Sequence, residues 1–170
     1  LTMSDGAVID GDGWSIRGVF TPGHTANHLA FALEGRRILF SADHVMAWAT
    51  TIVAPPDGAM ADYMASLDLL LERDDRLFLP GHGGQNGAPH AFIRGLEAHR
   101  KMGEGAILER VRKGDRTIRT MVEAIYRETD PRLHGAAGLS VLAHLEDLVA
   151  RGVVLTEGAP SIDGVYFPAT

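Results

Sequence analysis

The chain has 170 residues and contains no cysteine. Disulfide bonds and thiolate metal ligands are therefore excluded, so any metal ion must be held by histidine and carboxylate side chains. No apolar run approaches the ~20 residues that a membrane-spanning helix requires, and neither internal repeats nor low-complexity tracts occur. The composition, with 45% hydrophobic and 22% charged residues, is typical of a folded globular protein. The lack of cysteine fits a cytoplasmic protein without a membrane partner.

Positive charge is also scarce, because 16 lysines and arginines stand against 22 acidic residues and the formal net charge is −6. Affinity for polyanions depends on clustered lysine and arginine side chains. The charge balance therefore argues against a general polyanion-binding surface.

Three apolar, β-prone segments each end in a turn, and a residue that commonly binds metal follows each turn. These residues are His24, Asp43 and His82. Hydrolytic metal centres need rigidly held ligands and one open position, so that the pKa of a bound water falls toward ~7. Strand ends give that rigidity, and a carboxylate can bridge two metal ions. We therefore predict that the three side chains converge on a metal site in which Asp43 also acts in catalysis, although a lone Pro-Gly-His turn is as often a surface feature.

The order and surroundings of these residues resemble the metallo-β-lactamase-fold hydrolases. The later motifs of that family are a histidine after a Pro-Gly turn, an aspartate at a strand end and a histidine in a Gly-His-Gly context. The sequence from Asp43 through residues 50–58 to residues 79–83 is similar to that of the branch related to the lactamase-β-like endoribonuclease. Members of that branch carry a winged-helix domain C-terminal to the hydrolase domain. The resemblance implies an αββα sandwich, a dinuclear zinc centre with manganese or iron as alternatives, and attack by metal-bound hydroxide on an ester, thioester or phosphodiester.

One departure from the family pattern is large. The primary motif of the family, His-x-His-x-Asp-His, occurs nowhere in the chain, which begins at Leu1 rather than methionine. We therefore expect the C-terminal part of a longer α/β (α+β) enzyme, with the second half of the sandwich at residues 1–114 and a winged-helix-like module at residues 115–170. Because about half of the metal shell is absent, the chain alone should bind metal weakly and have little activity. The alternative is a non-catalytic winged-helix module for interaction or nucleic-acid binding.

Four further residues are candidates for contact with the substrate or for support of the metal ligands. His28 should hydrogen-bond a turn beside the site. His44 follows Asp43 and should point the opposite way in an extended chain, which favours a structural role or a position lining the mouth of the metal site. His99 and Arg100 lie on a predicted helix, where the residues alone favour a solvated or capping role for His99, whereas the resemblance implies contact with substrate. The remaining histidines are expected at the surface or between domains: His90, His134 and His144.

The apolar spacing predicts the secondary structure. Strands are expected at 14–20, 29–33, 37–41 and 77–79, the first preceded by a loop or the tail of a hairpin. A helix follows residue 60, and another runs from Pro89 to Gly114 with a break at Gly103 and Gly105. The module should then contain helices at 118–126 and 139–149, and a β-wing formed by 153–155 and 165–167.

The charge of the module bears on what it binds. Residues 115–170 contain five arginines against eight acidic residues, and the second helix of the module carries Glu146 and Asp147. Because these acids would repel phosphate, the module is predicted to be a packing or lid element rather than a nucleic-acid reader. Single-stranded RNA remains a substrate that the resemblance allows, whereas a small ester or thioester suits the acidic balance better.

The sheet formed by the first three predicted strands is expected to need a second polypeptide surface against one of its faces. Sandwich folds bury two sheets face to face, and the strands of the second sheet are not found in this sequence. The inner face of the sheet should therefore be covered by a second copy in a homodimer or by a missing N-terminal segment.

Overall fold

The computed structural model describes residues 3–169. Its main element is a five-stranded sheet in which the strands lie in chain order. Neighbouring strands are antiparallel except the last pair, which is parallel. The strands are β1 (Val8–Gly11), β2 (Trp14–Phe20), β3 (Leu29–Leu33), β4 (Ile38–Ala42) and β5 (Leu77–Pro80). The predicted strands are confirmed to within a residue, and β1 shows that the N-terminal residues form the outer arm of a hairpin.

One face of the sheet is packed and the other is open. On β3 and β4 the small or aliphatic side chains of Ala30, Ala32 and Leu39 are buried, whereas Phe31 and Phe40 point to the opposite face and are partly exposed. The buried face packs against α1 (Met60–Glu72) and the first part of α2 (Pro89–Lys113). Strands that are apolar on both faces are typical of sheets buried on both sides. The mixed α/β fold, half of a layered sandwich, agrees with the prediction.

The open face holds an apolar hollow of about 380 Å³. It is lined by Met3, Ile9, Trp14, Ile16, Phe31 and Phe40. Covering apolar surface is worth ~25 cal/mol per Å², so a face of this kind favours a partner surface. We propose that it is covered either by a second copy of the chain or by a further polypeptide segment.

The partner prediction can be tested by light scattering. We expect the chain alone to form a dimer and Phe40→Glu, which places a carboxylate inside the hollow, to raise the dimer dissociation constant at least about tenfold. Leu155→Glu on the β-wing, where Leu155 is 50% exposed, is the matched control and should leave the mass unchanged. A monomeric wild-type chain with this face open to water would contradict the proposal.

Helix α2 is continuous over 25 residues, so the predicted break at Gly103 and Gly105 is wrong. Each glycine costs a helix about 1 kcal/mol relative to alanine. The two ends of α2 are anchored in different clusters, with Ile93 in the core under the sheet and Val111 in the core of the C-terminal part, and this packing outweighs the cost. Neither α2 nor any other helix within residues 3–169 is apolar over enough of its length to cross a bilayer.

The C-terminal part has the predicted order of helix, helix and wing. It contains α3 (Ile118–Ile125), a short 3-10 turn (Pro131–Leu133), α4 (His134–Ala150), β6 (Val154–Thr156) and β7 (Tyr166–Pro168). Thr117 caps α3 through its side-chain oxygen, which accepts from the Thr120 backbone N–H. The Tyr166 N–H donates to the Arg116 carbonyl and attaches the wing to the start of α3.

Helix α4 belongs to both cores. Ala143 packs in the cluster under the sheet, while Leu145 and Leu148 pack in the C-terminal cluster. His144 follows Ala143, precedes Leu145 and is only 5% exposed, which agrees with a position between the two clusters and not with one at the surface. An added Cβ at Gly103 would lie 3.4 Å from His144 Nε2, which shows how closely α2 and α4 approach here.

Candidate metal site

Asp43 and His82 meet where two parallel strands end. Parallel pairing of β4 with β5 places their carboxyl ends side by side, and the Gly81 N–H donates to the Ala42 carbonyl at 2.9 Å. Ala42 has a left-handed φ of 46°, and the strand register shifts at this point, which turns the chain out of the sheet just before Asp43. His82 Nε2 lies 3.7 Å from Asp43 Oδ1.

Two glycines make room for this pair. An added Cβ at Gly81 would lie 2.7 Å from Asp43 Oδ1, and one at Gly83 would lie 2.6 Å from Cδ1 of Trp48. Both distances are far below van der Waals contact. The two glycines of the Gly-His-Gly sequence therefore leave room for the carboxylate on one side and the indole on the other.

His24 is oriented by a main-chain carbonyl. It follows the Pro-Gly turn at the end of β2, and its Nδ1 lies 2.7 Å from the Ile52 carbonyl oxygen. A carbonyl oxygen can only accept, so Nδ1 carries the proton and donates. The Nε2 lone pair is thereby left for a metal, which is the usual arrangement of a metal-binding histidine.

The three predicted ligands are not drawn into one tight cluster. Within residues 3–169 no group of three or more histidine, aspartate or glutamate side chains is close enough to hold a metal. Asp43 and His82 follow neighbouring strands, whereas His24 follows β2, which is separated from β4 by β3. Strands are about 4.8 Å apart, so the ends of β2 and β4 are about 10 Å apart. The role of the three residues as ligands of one centre stays a prediction.

The residues fit a divalent metal in their chemistry. Asp43 Oδ1 is shielded from solvent and has no hydrogen-bond partner among the described residues. An unpaired carboxylate oxygen of this kind is costly unless a cation lies against it. With the Nε2 lone pair of His24 and the ring of His82, the chain offers one carboxylate and two imidazoles, a donor set suited to zinc, manganese or iron.

His28 and His44 lie behind His24 in the interior. His28 Nδ1 is 2.8 Å from the Thr21 hydroxyl, and its ring centroid is 6.2 Å from that of His24 and 5.5 Å from that of His44. Burial, followed by the nearby His24, lowers the pKa of His28. His44 is fully buried, and burial with two neighbouring histidines lowers its pKa to about 3. Both rings are therefore neutral at pH 7.

His99 and Arg100, which are adjacent on α2, have different environments. His99 is exposed, and it is close enough to His144 of α4 to contribute to the lowered pKa of that residue. Arg100 is 6% exposed, donates from Nη2 to the Thr51 carbonyl and lies with its guanidinium carbon 5.2 Å from the centroid of the Tyr63 ring. Because Arg100 is buried and donates to a main-chain carbonyl, its position favours support of the site over direct contact with substrate.

Sequence patterns did not identify Thr51 and Ile52 as hydrogen-bond partners of the candidate ligands. Thr51 donates its hydroxyl proton to the Asp43 carbonyl, and Ile52 accepts from His24. These partners lie eight and 28 residues away in the chain, and the segment has no clear periodicity. The Ile52 side chain is 60% exposed and that of Trp48 is 70% exposed, so the mouth of the site has an apolar rim.

Two family models match the chain in succession. The model described as Metallo-beta-lactamase superfamily matches residues 1–82, and the model described as Beta-lactamase associated winged helix domain matches residues 117–162. The chain is similar to the Beta-lactamase-like protein 2 homolog of Drosophila melanogaster, with 32% identity over 164 residues that cover 94% of the chain and 54% of the relative.

Two further comparisons extend this result. The Atrochrysone carboxyl ACP thioesterase of Aspergillus fumigatus is 37% identical over 79 residues, which cover 46% of the chain and 24% of that protein. The crystal structure of a metallo-beta-lactamase family protein from Thermus thermophilus superposes with a TM-score of 0.83 at 26% identity, covering 99% of the chain and 54% of that structure. The chain spans at most about half the length of these proteins.

Proposed function

We propose, from the premise that the chain belongs to the metallo-β-lactamase superfamily with its associated winged helix, that it supplies His24, Asp43 and His82 to the metal centre of a hydrolase. The observation that carries the proposal is the solvent-shielded, unpaired Oδ1 of Asp43 facing the ring of His82. Proteins of the superfamily generally bind divalent metals such as zinc or iron. Such an ion, when bound, polarises the scissile carbonyl or phosphoryl group and lowers the pKa of water toward ~7.

The residues of the chain have separate tasks in this proposal. Asp43 would supply the negative charge that holds a divalent metal, and with one carboxylate it could serve one ion or two. His24 presents Nε2 while its protonated Nδ1 donates to the Ile52 carbonyl. His82, whose Nε2 lies 3.7 Å from Asp43 Oδ1, would supply a second imidazole to the same metal. The neutral rings of His28 and His44 fill the interior behind His24 and exclude water there.

A small ester or thioester is the substrate class that we propose. The thioesterase from Aspergillus fumigatus supports this choice, as does the apolar rim of Trp48 and Ile52, against which an acyl group could pack. An RNA phosphodiester is less favoured because acidic residues outnumber arginines in the winged-helix part. We also propose a cytoplasmic location, which the cysteine-free sequence fits.

Calorimetric titration of the purified chain with zinc tests the metal proposal. We expect weak binding by the wild type and a loss of affinity of at least about 100-fold in Asp43→Asn, because the amide keeps the shape but removes the charge. Asp62→Asn, at an exposed position in the first turn of α1, is the control and should bind like the wild type. Equal zinc affinity in Asp43→Asn and the wild type would refute the proposal, and absence of zinc binding would favour the non-catalytic interpretation.

The same preparation gives a prediction for activity. A stable catalytic site normally has three protein ligands for each metal, and here three residues would serve two. Turnover of a thioester by the chain alone should therefore be close to background. Stoichiometric metal with turnover that disappears in Asp43→Ala would show that the chain holds a sufficient site by itself.

A further inference from the structure

The dipeptide of Thr51 and Ile52 connects two of the candidate ligands. The Thr51 hydroxyl donates to the main-chain carbonyl of Asp43, and the Ile52 carbonyl accepts from Nδ1 of His24. The two hydrogen bonds are thus made by adjacent residues, one as donor and the other as acceptor. A shift of this dipeptide would therefore move the backbone of Asp43 and release the ring of His24 at the same time.

Arg100 holds the dipeptide from the other side. Its Nη2 donates to the Thr51 carbonyl, while its guanidinium group lies over the ring of Tyr63. Tyr63 in turn donates its hydroxyl proton to the His44 carbonyl at 3.3 Å, next to Asp43. Arg100 on α2 thus contacts Thr51 directly, and through the ring of Tyr63 it is linked to the backbone of His44, next to Asp43.

The environment of Arg100 is unusual for a residue that only fills space. No carboxylate among the described residues lies within ion-pair distance of its guanidinium group, and its Nε is buried without a partner. A buried charge without a counter-ion is costly, and an apolar side chain of similar volume would often be more stable. The charge is therefore better explained by the hydrogen bond that it makes than by stability.

We propose that Arg100 is a positioning residue, which fixes the dipeptide of Thr51 and Ile52 and thereby orients the ring of His24 and the backbone of Asp43. The inference rests on the proposed function for the metal role of these two residues, but its hydrogen bonds are independent of any metal. Arg100 touches neither ligand directly. It acts through Thr51, whose carbonyl it holds, and through the peptide that joins Thr51 to Ile52.

The tautomer of His24 gives a readout that does not depend on activity. Nitrogen-15 spectra of the imidazole rings, recorded in alkaline buffer where the ring is neutral, show which nitrogen carries the proton. In the wild type we expect the proton of His24 on Nδ1. In Arg100→Met, which keeps the length and apolar volume of the side chain but loses the donors, we expect a mixture of both tautomers and a zinc affinity about tenfold lower.

Three further variants complete the experiment. Arg100→Lys keeps a cationic donor and should restore the Nδ1 tautomer at least in part. Arg94→Met changes an exposed arginine on the same helix and should leave His24 and zinc binding as in the wild type. If Arg100→Met does not unfold cooperatively, Arg100→Gln, which is too short to reach Thr51 in the same way, takes its place with the same expected shift.

The outcomes separate this inference from the proposed function. An unchanged His24 tautomer in a folded Arg100→Met or Arg100→Gln variant overturns the inference, whatever zinc does. A changed tautomer with rescue by lysine supports it. A changed tautomer in a chain whose wild type binds no zinc supports the positioning role while refuting the metal centre.

Discussion

The Gly23→Ala variant is expected to lose about 2–6 kcal/mol of its free energy of unfolding, from backbone strain and overpacking together. Gly23 has a φ of 127°, a conformation that residues with a Cβ rarely adopt, and forcing it costs about 1–3 kcal/mol. An alanine Cβ would in addition lie 2.3 Å from the backbone N and Cα of Tyr63. A backbone in the first turn of α1 cannot move aside as a flexible side chain can, so overpacking adds about 1–3 kcal/mol more.

The position of Gly23 explains why the chain requires glycine there. The Ala59 N–H donates to the Gly23 carbonyl at 3.0 Å, so the turn that presents His24 is docked against the start of α1. A displaced turn would also move His24 away from the Ile52 carbonyl. We therefore expect Gly23→Ala to lose both stability and the Nδ1 tautomer of His24.

The matched control is Gly35→Ala in the turn between β3 and β4. Gly35 has a φ of 69°, and an added Cβ would meet no atom within 4 Å. Only the backbone strain remains, which is about 1–2 kcal/mol. Urea unfolding curves measure both variants, since the midpoint reports stability when the slope is unchanged. Equal losses in the two variants would show that the contact with Tyr63 is not the cause.

Much of the fold could be predicted because local rules and tertiary packing agree. The alternation of apolar and polar residues predicted β2, the turn at residues 34–36 predicted the hairpin of β3 and β4, and the three- and four-residue spacing predicted α1 and α3. Helix α2 shows where local rules fail. Gly103 weakens the helix locally, but it lies beside His144 of α4, and the packing of α2 in two clusters keeps the helix continuous. This packing involves residues such as His144, 41 positions away, which no local pattern contains.

The candidate site could be predicted only in part for a similar reason. Asp43 and His82 follow strands that are neighbours in the sheet, so motif and topology lead to the same pair. Thr51 and Ile52 act through a hydroxyl and a main-chain carbonyl, and neither group marks the residue type as functional. Arg100 was singled out by resemblance, but its hydrogen bond to Thr51 depends on how α2 packs across the loop.

His144 links the two cores and should make stability depend on pH. Burial, followed by the positive Arg100 and Arg151 and by His99, lowers the pKa of His144 to about 4 from the ordinary value of 6.5. Its Nδ1 is buried without a partner. Between these two pKa values the unfolded chain binds a proton at His144 that the folded chain does not. The free energy of unfolding therefore rises with pH in this window, and the contribution is lost as the pH falls from about 6.5 to about 4.

The stability lost through His144 between pH 7 and pH 4 is expected to be about 3 kcal/mol, since each unit of pKa difference is worth about 1.4 kcal/mol. His144→Met keeps a side chain of similar volume and removes the titrating group, so its stability should fall less than that of the wild type over the same range. The buried His28 and His44 contribute equally in both proteins, and the difference between the two curves isolates His144. Urea unfolding at pH 7, 5.5 and 4 measures it, and parallel curves for the two proteins would show that His144 takes up its proton in the folded state as readily as in the unfolded chain.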